Sequence, residues 1–346
     1  MDGQSLDGAS TFDARWSSRH RAVQRLAGHL IRLRTWSRWL CQRADYRAHR
    51  RGSRFGRQGA GRRRGFFCKE IQIVETNVVR IGLAGFGSSG RAVAAALVKG
   101  AIPGIGLAAV SARDLEKARA HLATLDASVP VVPLNELAGH CDLVVEAATG
   151  AAIPQIVDAV LPHGKDLICV SAGGFLAVPD LEQIAARHGA RIQIASGAMP
   201  GLDILRSAKE GTIRSVHLKA RVKPETLASE PYVLEQGLDF RQRRPEKPVC
   251  VFNGMATDAA RHFPRHLNVA VSISLAGIGF DRTVIELWMD PDIPGAIHLL
   301  TIEADEIGLT MESRNLPSAN PKTSRIVAPS ILAALRERVA TIRVGS

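Results

Sequence analysis

The chain has little of what disulfide-stapled, metal-built or membrane proteins need. Its five cysteines, Cys41, Cys68, Cys141, Cys169 and Cys250, are odd in number and show neither CxxC nor Cys/His ligand spacing. Neither a disulfide nor a metal is therefore expected, and the usage fits reduced thiols in a cytoplasmic setting. No apolar run approaches the roughly twenty residues that a membrane helix needs. Polar residues fill the N-terminal positions where a secretory signal carries its apolar segment. A soluble protein without a membrane partner is expected.

Acidic residues are also scarce, but only in one place. Residues 1–77 hold 17 Lys+Arg against 6 Asp+Glu, whereas the remainder holds 28 against 27. The net charge of +12 thus belongs almost wholly to an arginine-rich arm, with runs such as Arg50-Arg51 and Arg62-Arg63-Arg64. Three readings of residues 1–76 stand: an arm for RNA or membrane surfaces, a targeting peptide, or upstream sequence read from a start codon set too early. The third is preferred and the arm is expected to be disordered. Because no Met occurs between Met1 and Met199, that reading requires a non-standard start near Val74 or Val78. For the nearly neutral body no nucleic-acid partner is expected, and 46% hydrophobic residues suffice for a real core.

What is present is organised around VRIGLAGFGSSG, Val79 to Gly90: an apolar strand-like run breaks into glycines and opens an apolar-periodic helix, Arg91 to Leu97. Gly85, Gly87 and Gly90 stand at GxGxxG spacing, the first turn of a dinucleotide-binding fold. Gly85 suits a tight turn, Gly87 the approach of a pyrophosphate, and Gly90 close helix packing. The next apolar run, Gly106 to Val110, ends in Ser111-Ala112-Arg113 instead of the acid that often binds an NAD ribose, with Asp114 placed to cap the following helix. Arg113 is a candidate partner for a 2′-phosphate, so NAD and NADP stand about even.

The βα alternation continues through Leu143–Glu146, a helix Ile156 to Leu161, Leu167–Val170, a helix Leu181 to His188 and Ile192–Ala195. A doubly wound parallel sheet of the Rossmann type is expected, with six strands, in residues 77–200. Small residues, Ser171 to Gly174 and Ser196 to Ala198, end two of these strands and leave room for a nicotinamide. From Ser215 the pattern changes: Val216–Val222 alternates, helices follow at Ala256–His262 and Asn268–Ala276, and β-like runs stand at Thr283–Met289, Ile297–Ile302 and Gly308–Met311. This predicts an α+β domain, residues 201–325, on a mostly antiparallel sheet. A closing amphipathic helix in residues 326–346 is expected to pack back on the first domain.

Four stretches in order carry a resemblance: SGAMPGLDIL (Ser196 to Leu205), GMATDAARHFPRHLNVAVSISLAGIGFDRT (Gly254 to Thr283), DPDIPGAIH (Asp290 to His298) and NLPSANPKTS (Asn315 to Ser324). From Val78 to about Arg336 the chain resembles the L-aspartate dehydrogenases, whose second domain is similar to that of dihydrodipicolinate reductase. The resemblance implies an NAD(P)-dependent oxidative deamination of L-aspartate through iminoaspartate to oxaloacetate and ammonia, or a supply of iminoaspartate to NAD biosynthesis. It places the catalytic histidine at His298 and cofactor contacts at Ala198 and Asn268, and a homo-oligomer is expected. Two positions depart from the family pattern, His266 and Ala296, where asparagine is usual; a changed substrate pocket would follow.

Chemistry agrees with a histidine: loss of hydride from Cα requires a neutral amine, and a side chain titrating near neutral pH suits a base for that work. Taken alone, the apolar neighbours of His298 read as those of a buried structural histidine. For the carboxylates of the substrate, Lys322 with the Thr323 and Ser324 hydroxyls is a candidate cradle, balanced against a plain surface turn; Arg221 and Lys223 are weaker candidates. Alternatives are a related dehydrogenase or reductase for another amino or imino acid, and a cofactor-binding protein without turnover.

Overall fold

The computed structural model describes residues 78–199, 201–241, 244–264, 266–316 and 324–345. The apolar run after Val78 becomes β1 (Val79–Ala84), its last four residues buried. Helix α1 (Ser88–Val98) follows, then β2 (Ile105–Ser111) and α2 (Leu115–Ala123). Next come β3 (Leu143–Glu146), α3 (Ile153–Val160), β4 (Asp166–Cys169), α4 (Leu181–Arg187) and β5 (Ile192–Ile194). All strand pairs in this sheet are parallel, in the order β2-β1-β3-β4-β5. Fully buried strands such as β3, with no exposed residue, are what helices on both faces of a parallel sheet require. The strand order reverses between β1 and β3, which opens a crevice at their carboxyl ends, the usual ligand position in such sheets.

Among the described residues the sheet has five strands, not the expected six. After α5 (Leu202–Lys209) the next strand, β6 (Ile213–Val222), joins a second sheet. Its half-buried alternation explains why: one face meets a core and the other meets solvent, which suits an open sheet and not a doubly covered one. The second sheet runs β10-β9-β6-β8-β7, with β7 (Val249–Met255), β8 (Thr283–Met289), β9 (Ile297–Ala304) and β10 (Gly308–Arg314). Only the β6/β8 pair is parallel. Strand β7 escaped the sequence pattern because its register shifts between Cys250 and Phe252, which breaks the period-2 alternation at an edge.

Helices α6 (Ala256–His262) and α7 (Asn268–Ala276) lie between β7 and β8. Leu218, Leu300 and Ile302 of the second sheet share a core with Val271 and Ile273 of α7 and with Val144 and Leu167 of the first sheet. The last helix, α8 (Val327–Val339), buries Ile331 and Leu335 in a separate cluster with Leu83, Val93 and Val145 of the first sheet and its helix. Among the described residues no helix is long and apolar enough to cross a membrane.

Candidate active site

The glycine turn is built by contacts that exclude a side chain. Gly85 has φ +103°, and a Cβ there would lie 2.5 Å from the backbone nitrogen of Ala148. A Cβ on Gly90 would stand 2.3 Å from the Gly85 carbonyl oxygen. Gly87, in contrast, would meet nothing within 4 Å. It caps α1, whose first turn has neither a side-chain cap nor an acidic residue. The first N–H groups of an 11-residue helix are thus left open at the crevice, so the residues present fit a pyrophosphate.

At the end of β2 the Asp114 carboxylate accepts the backbone N–H of Lys117 at 2.9 Å, so this acid caps α2. Arg113 is exposed beside it. At the end of β3 stands a carboxylate that sequence reasoning passed over. Glu146 is fully buried, and its Oε1 accepts the N–H of Ala148 at 2.7 Å. Oε2 accepts the N–H groups of Val170 at 3.0 Å and Ser171 at 2.9 Å, and the Cys169 thiol donates at 3.1 Å. Burial, then the neighbouring Glu146, pushes the Cys169 pKa well up, so the sulfur keeps the proton it donates. One side chain therefore joins the loops after β3 and β4 on the floor of the crevice.

The small-residue loops after β4 and β5 are each tied to the second sheet or its helices. Asn268, at the start of α7, accepts the N–H of Gly173 through Oδ1 at 2.9 Å, which orients its amide NH2 away from that contact. Ser313 of β10 donates through Oγ to the Ala198 carbonyl at 3.1 Å. Gly197 donates its N–H to Ser330 Oγ of α8 at 3.2 Å. Both positions that the resemblance assigned to cofactor contact, Ala198 and Asn268, thus lie where the carboxyl ends of the parallel strands meet the second sheet.

His298 stands directly opposite Ser313 across β9 and β10, and it pairs with Ala220 of β6 on its other side. It is buried, and burial alone holds its pKa down to about 4, so the ring is neutral near pH 7. Asn315, just past β10, holds it: Asn315 Nδ2 lies 3.2 Å from His298 Nδ1 and donates to the Ala296 carbonyl at 3.2 Å. Ser324 Oγ donates to Asn315 Oδ1 at 2.8 Å. Ala198, His298 and Ser324 therefore fall in one hydrogen-bonded cluster, joined through Ser313 and Asn315. Lys322 and Thr323 lie outside the described residues.

Other candidates have different duties. Arg221 donates through Nε to Asp290 Oδ2 at 2.7 Å, and also through Nη2; since Asp290 is fully buried, this pairing occupies the guanidinium. His266 pairs through Nε2 with Glu230 Oε1 at 2.9 Å, and Glu230 is buried. The histidine that replaces the family's asparagine thus braces the turn two residues before Asn268.

A parallel nucleotide-type sheet whose strand ends are closed by a mostly antiparallel sheet carrying a buried neutral histidine defines a two-part, NAD(P)-linked dehydrogenase. Residues 85–195 match the NAD binding domain of homoserine dehydrogenase, and residues 203–338 match the aspartate dehydrogenase C-terminal family. L-aspartate dehydrogenase 3 of Bordetella bronchiseptica is 41% identical over 266 residues, 77% of this chain and 97% of the relative. L-aspartate dehydrogenase of Bradyrhizobium diazoefficiens is 40% identical over 268 residues, 78% and 94% of the two chains. The chain belongs to the L-aspartate dehydrogenase family. In fold it is similar to a crystal structure of aspartate dehydrogenase from Thermotoga maritima, with a TM-score of 0.55 at 22% identity over 77% of this chain and 99% of that one.

Proposed function

We propose that the protein is an NAD(P)-dependent L-aspartate dehydrogenase that converts L-aspartate through iminoaspartate to oxaloacetate and ammonia, or releases iminoaspartate for pyridine-nucleotide biosynthesis in the cytoplasm. The observation that carries this reading is the cluster Ala198–Ser313–His298–Asn315–Ser324, which sets a buried, uncharged histidine at the strand ends where a nicotinamide belongs. When bound, the dinucleotide supplies the hydride acceptor. Gly85, Gly87 and Gly90 with the N-terminus of α1 would hold its phosphates, Ala198 and the amide of Asn268 its nicotinamide end, and Arg113 a 2′-phosphate. Residues 77–200 would thus serve the cofactor and residues 201–325 the substrate. His298 is proposed as the residue that touches the reacting amino acid, with Ser324, Lys322 and Thr323 proposed for its carboxylates. The test is reduction of NAD and of NADP against a panel of amino acids, with ammonia and oxaloacetate measured together; a better substrate than L-aspartate would move the assignment to another amino or imino acid. Cell fractionation checks the compartment.

Arg113 yields a sharper test. It is exposed, and the acid next to it in the chain, Asp114, is committed to its helix cap. A charge-assisted contact is worth about 1.5–3 kcal/mol, so Arg113→Ala should raise the KM for NADP by about tenfold or more and leave that for NAD unchanged. Equal NADP kinetics in variant and wild type would remove Arg113 from the cofactor site.

A homo-oligomer is proposed on the outer face of the second sheet, where Trp288, Ile297 and Leu299 are only partly covered and alternate with buried Leu287, Met289, His298 and Leu300. Light scattering should show more than a monomer in wild type and dissociation in Trp288→Glu; a monomeric wild type would refute it.

A further inference from the structure

We propose that Asn315 is a positioning residue that fixes the tautomer of His298, holding the neutral ring with its proton on Nε2 so that it meets the substrate as a hydrogen-bond donor and not as a base. The proposal rests on the reading of His298 as the residue that touches substrate.

The amide orientation of Asn315 is decided by its neighbours. The Ala296 carbonyl can only accept, and it takes both the backbone N–H of Asn315 at 2.9 Å and Nδ2–H at 3.2 Å. A flipped amide would set Oδ1 against that carbonyl. Among the described residues Ser324 Oγ faces Oδ1; it is able to donate and does so at 2.8 Å. Nδ2 therefore faces His298 Nδ1 at 3.2 Å as a donor. An amide NH2 has two hydrogens: one goes to Ala296 and the other to the ring. Ser313 Oγ, 3.5 Å from Nδ2, spends its own hydrogen on the Ala198 carbonyl.

A ring nitrogen that accepts carries no proton. In the neutral imidazole the proton then sits on Nε2, since the ring's contact among the described residues is the one at Nδ1. Neither nitrogen offers a free lone pair: Nδ1 is engaged by Asn315, and Nε2 is already protonated. Taking up a second proton would set Nδ1–H against the Asn315 N–H, an opposition that adds to the cost of charging a buried ring. No charged side chain of the described residues relieves that cost: the cross-strand neighbours are Ala220 and Ser313, and burial is the only cause acting on the ring.

The chemistry that follows is donation from Nε2–H to an oxygen of the substrate, a carboxylate of the amino acid being the acceptor at hand. The proton that the substrate ammonium must lose then passes to solvent water. Turnover should consequently follow ionisation of the substrate amine and show no histidine limb between pH 5 and 7.

Nitrogen-15 spectra of the full-length protein labelled at histidine test this directly, with His298→Ala identifying the His298 signals among the eleven histidines. The expected spectrum has Nδ1 unprotonated and Nε2 protonated, without change from pH 8 to pH 5. In Asn315→Asp a carboxylate accepts from Nδ1–H, so the tautomer reverses, the ring gains a proton near neutrality, and kcat acquires a new limb in that range. A wild-type spectrum with Nδ1 protonated, or a ring that charges between pH 6 and 7, overturns the proposal even if Asn315→Asp does not fold. These spectra do not depend on turnover, so a failure to oxidise L-aspartate would count against the proposed activity and leave the tautomer to be judged by itself.

Discussion

His298→Ala is expected to lower kcat by about a hundredfold or more with L-aspartate while the affinity for NAD stays near that of wild type. A positioned donor or proton-transfer group in a water-poor site is worth roughly that factor. The cofactor contacts proposed here, at Gly87, Ala198 and Asn268, do not run through the imidazole. The same substitution carries a second signature. Folding holds the pKa of His298 down to about 4, below its unfolded value near 6.5. As pH falls from about 6.5 toward 4 the unfolded chain takes up a proton that the folded chain refuses, so stability present above pH 6.5 is lost through that window. The loss is about 3 kcal/mol, and it levels off below pH 4. Urea unfolding at pH 7 and pH 4.5 should show this loss in wild type and a smaller one in His298→Ala. Near wild-type turnover in a folded variant would sink the assignment, and equal acid losses in the two proteins would mean that the ring is charged in the folded state.

Much of this was legible in the sequence because burial and periodicity are local. Apolar runs marked β1, β3, β4 and β8; alternation marked β6; and three glycines at fixed spacing announced a turn that close backbone approach now explains. Asp114 was readable as a cap because a helix start needs an acceptor. What was not legible depended on partners far away in the chain. Asn315 shares its stretch with Lys322, Thr323 and Ser324, whose cation and hydroxyls are the more evident match for a carboxylate. That Asn315 would meet His298, 17 residues earlier, depends on the β9/β10 register, which sets Ser313 opposite His298. The expectation of a base came from the resemblance together with the titration range of a histidine; the tertiary contact at Nδ1 is what spends its lone pair. The sixth parallel strand has no counterpart in the pattern: five strand-like runs stand between Val79 and Ala195, and those five form the sheet. Glu146 was hidden differently, as the polar end of an apolar strand that looks like a strand meeting solvent.

That carboxylate carries the largest expected effect on stability. Glu146 is fully buried and satisfies three backbone N–H groups, those of Ala148, Val170 and Ser171, along with the Cys169 thiol. Glu146→Ala leaves these donors without an acceptor in a place that water does not fill by design, at about 1–3 kcal/mol for each unsatisfied group. Removing the buried charge returns part of that through lost desolvation, so a net loss of about 3–5 kcal/mol is expected, a large share of the 5–15 kcal/mol that holds a typical domain together. The damage should reach the cofactor, because Ala148, which Glu146 holds, is the residue against which Gly85 is packed at the glycine turn. Glu146→Gln separates the two causes. Its amide oxygen is able to serve either Ala148 or the Val170 and Ser171 pair, but its NH2 must then face an N–H on the other side, so the variant should fall between wild type and alanine in both urea midpoint and NAD affinity. If glutamine matches wild type, the charge and the second acceptor are dispensable; if alanine loses less than about 1 kcal/mol, the loops after β3 and β4 are held by packing and not by this carboxylate.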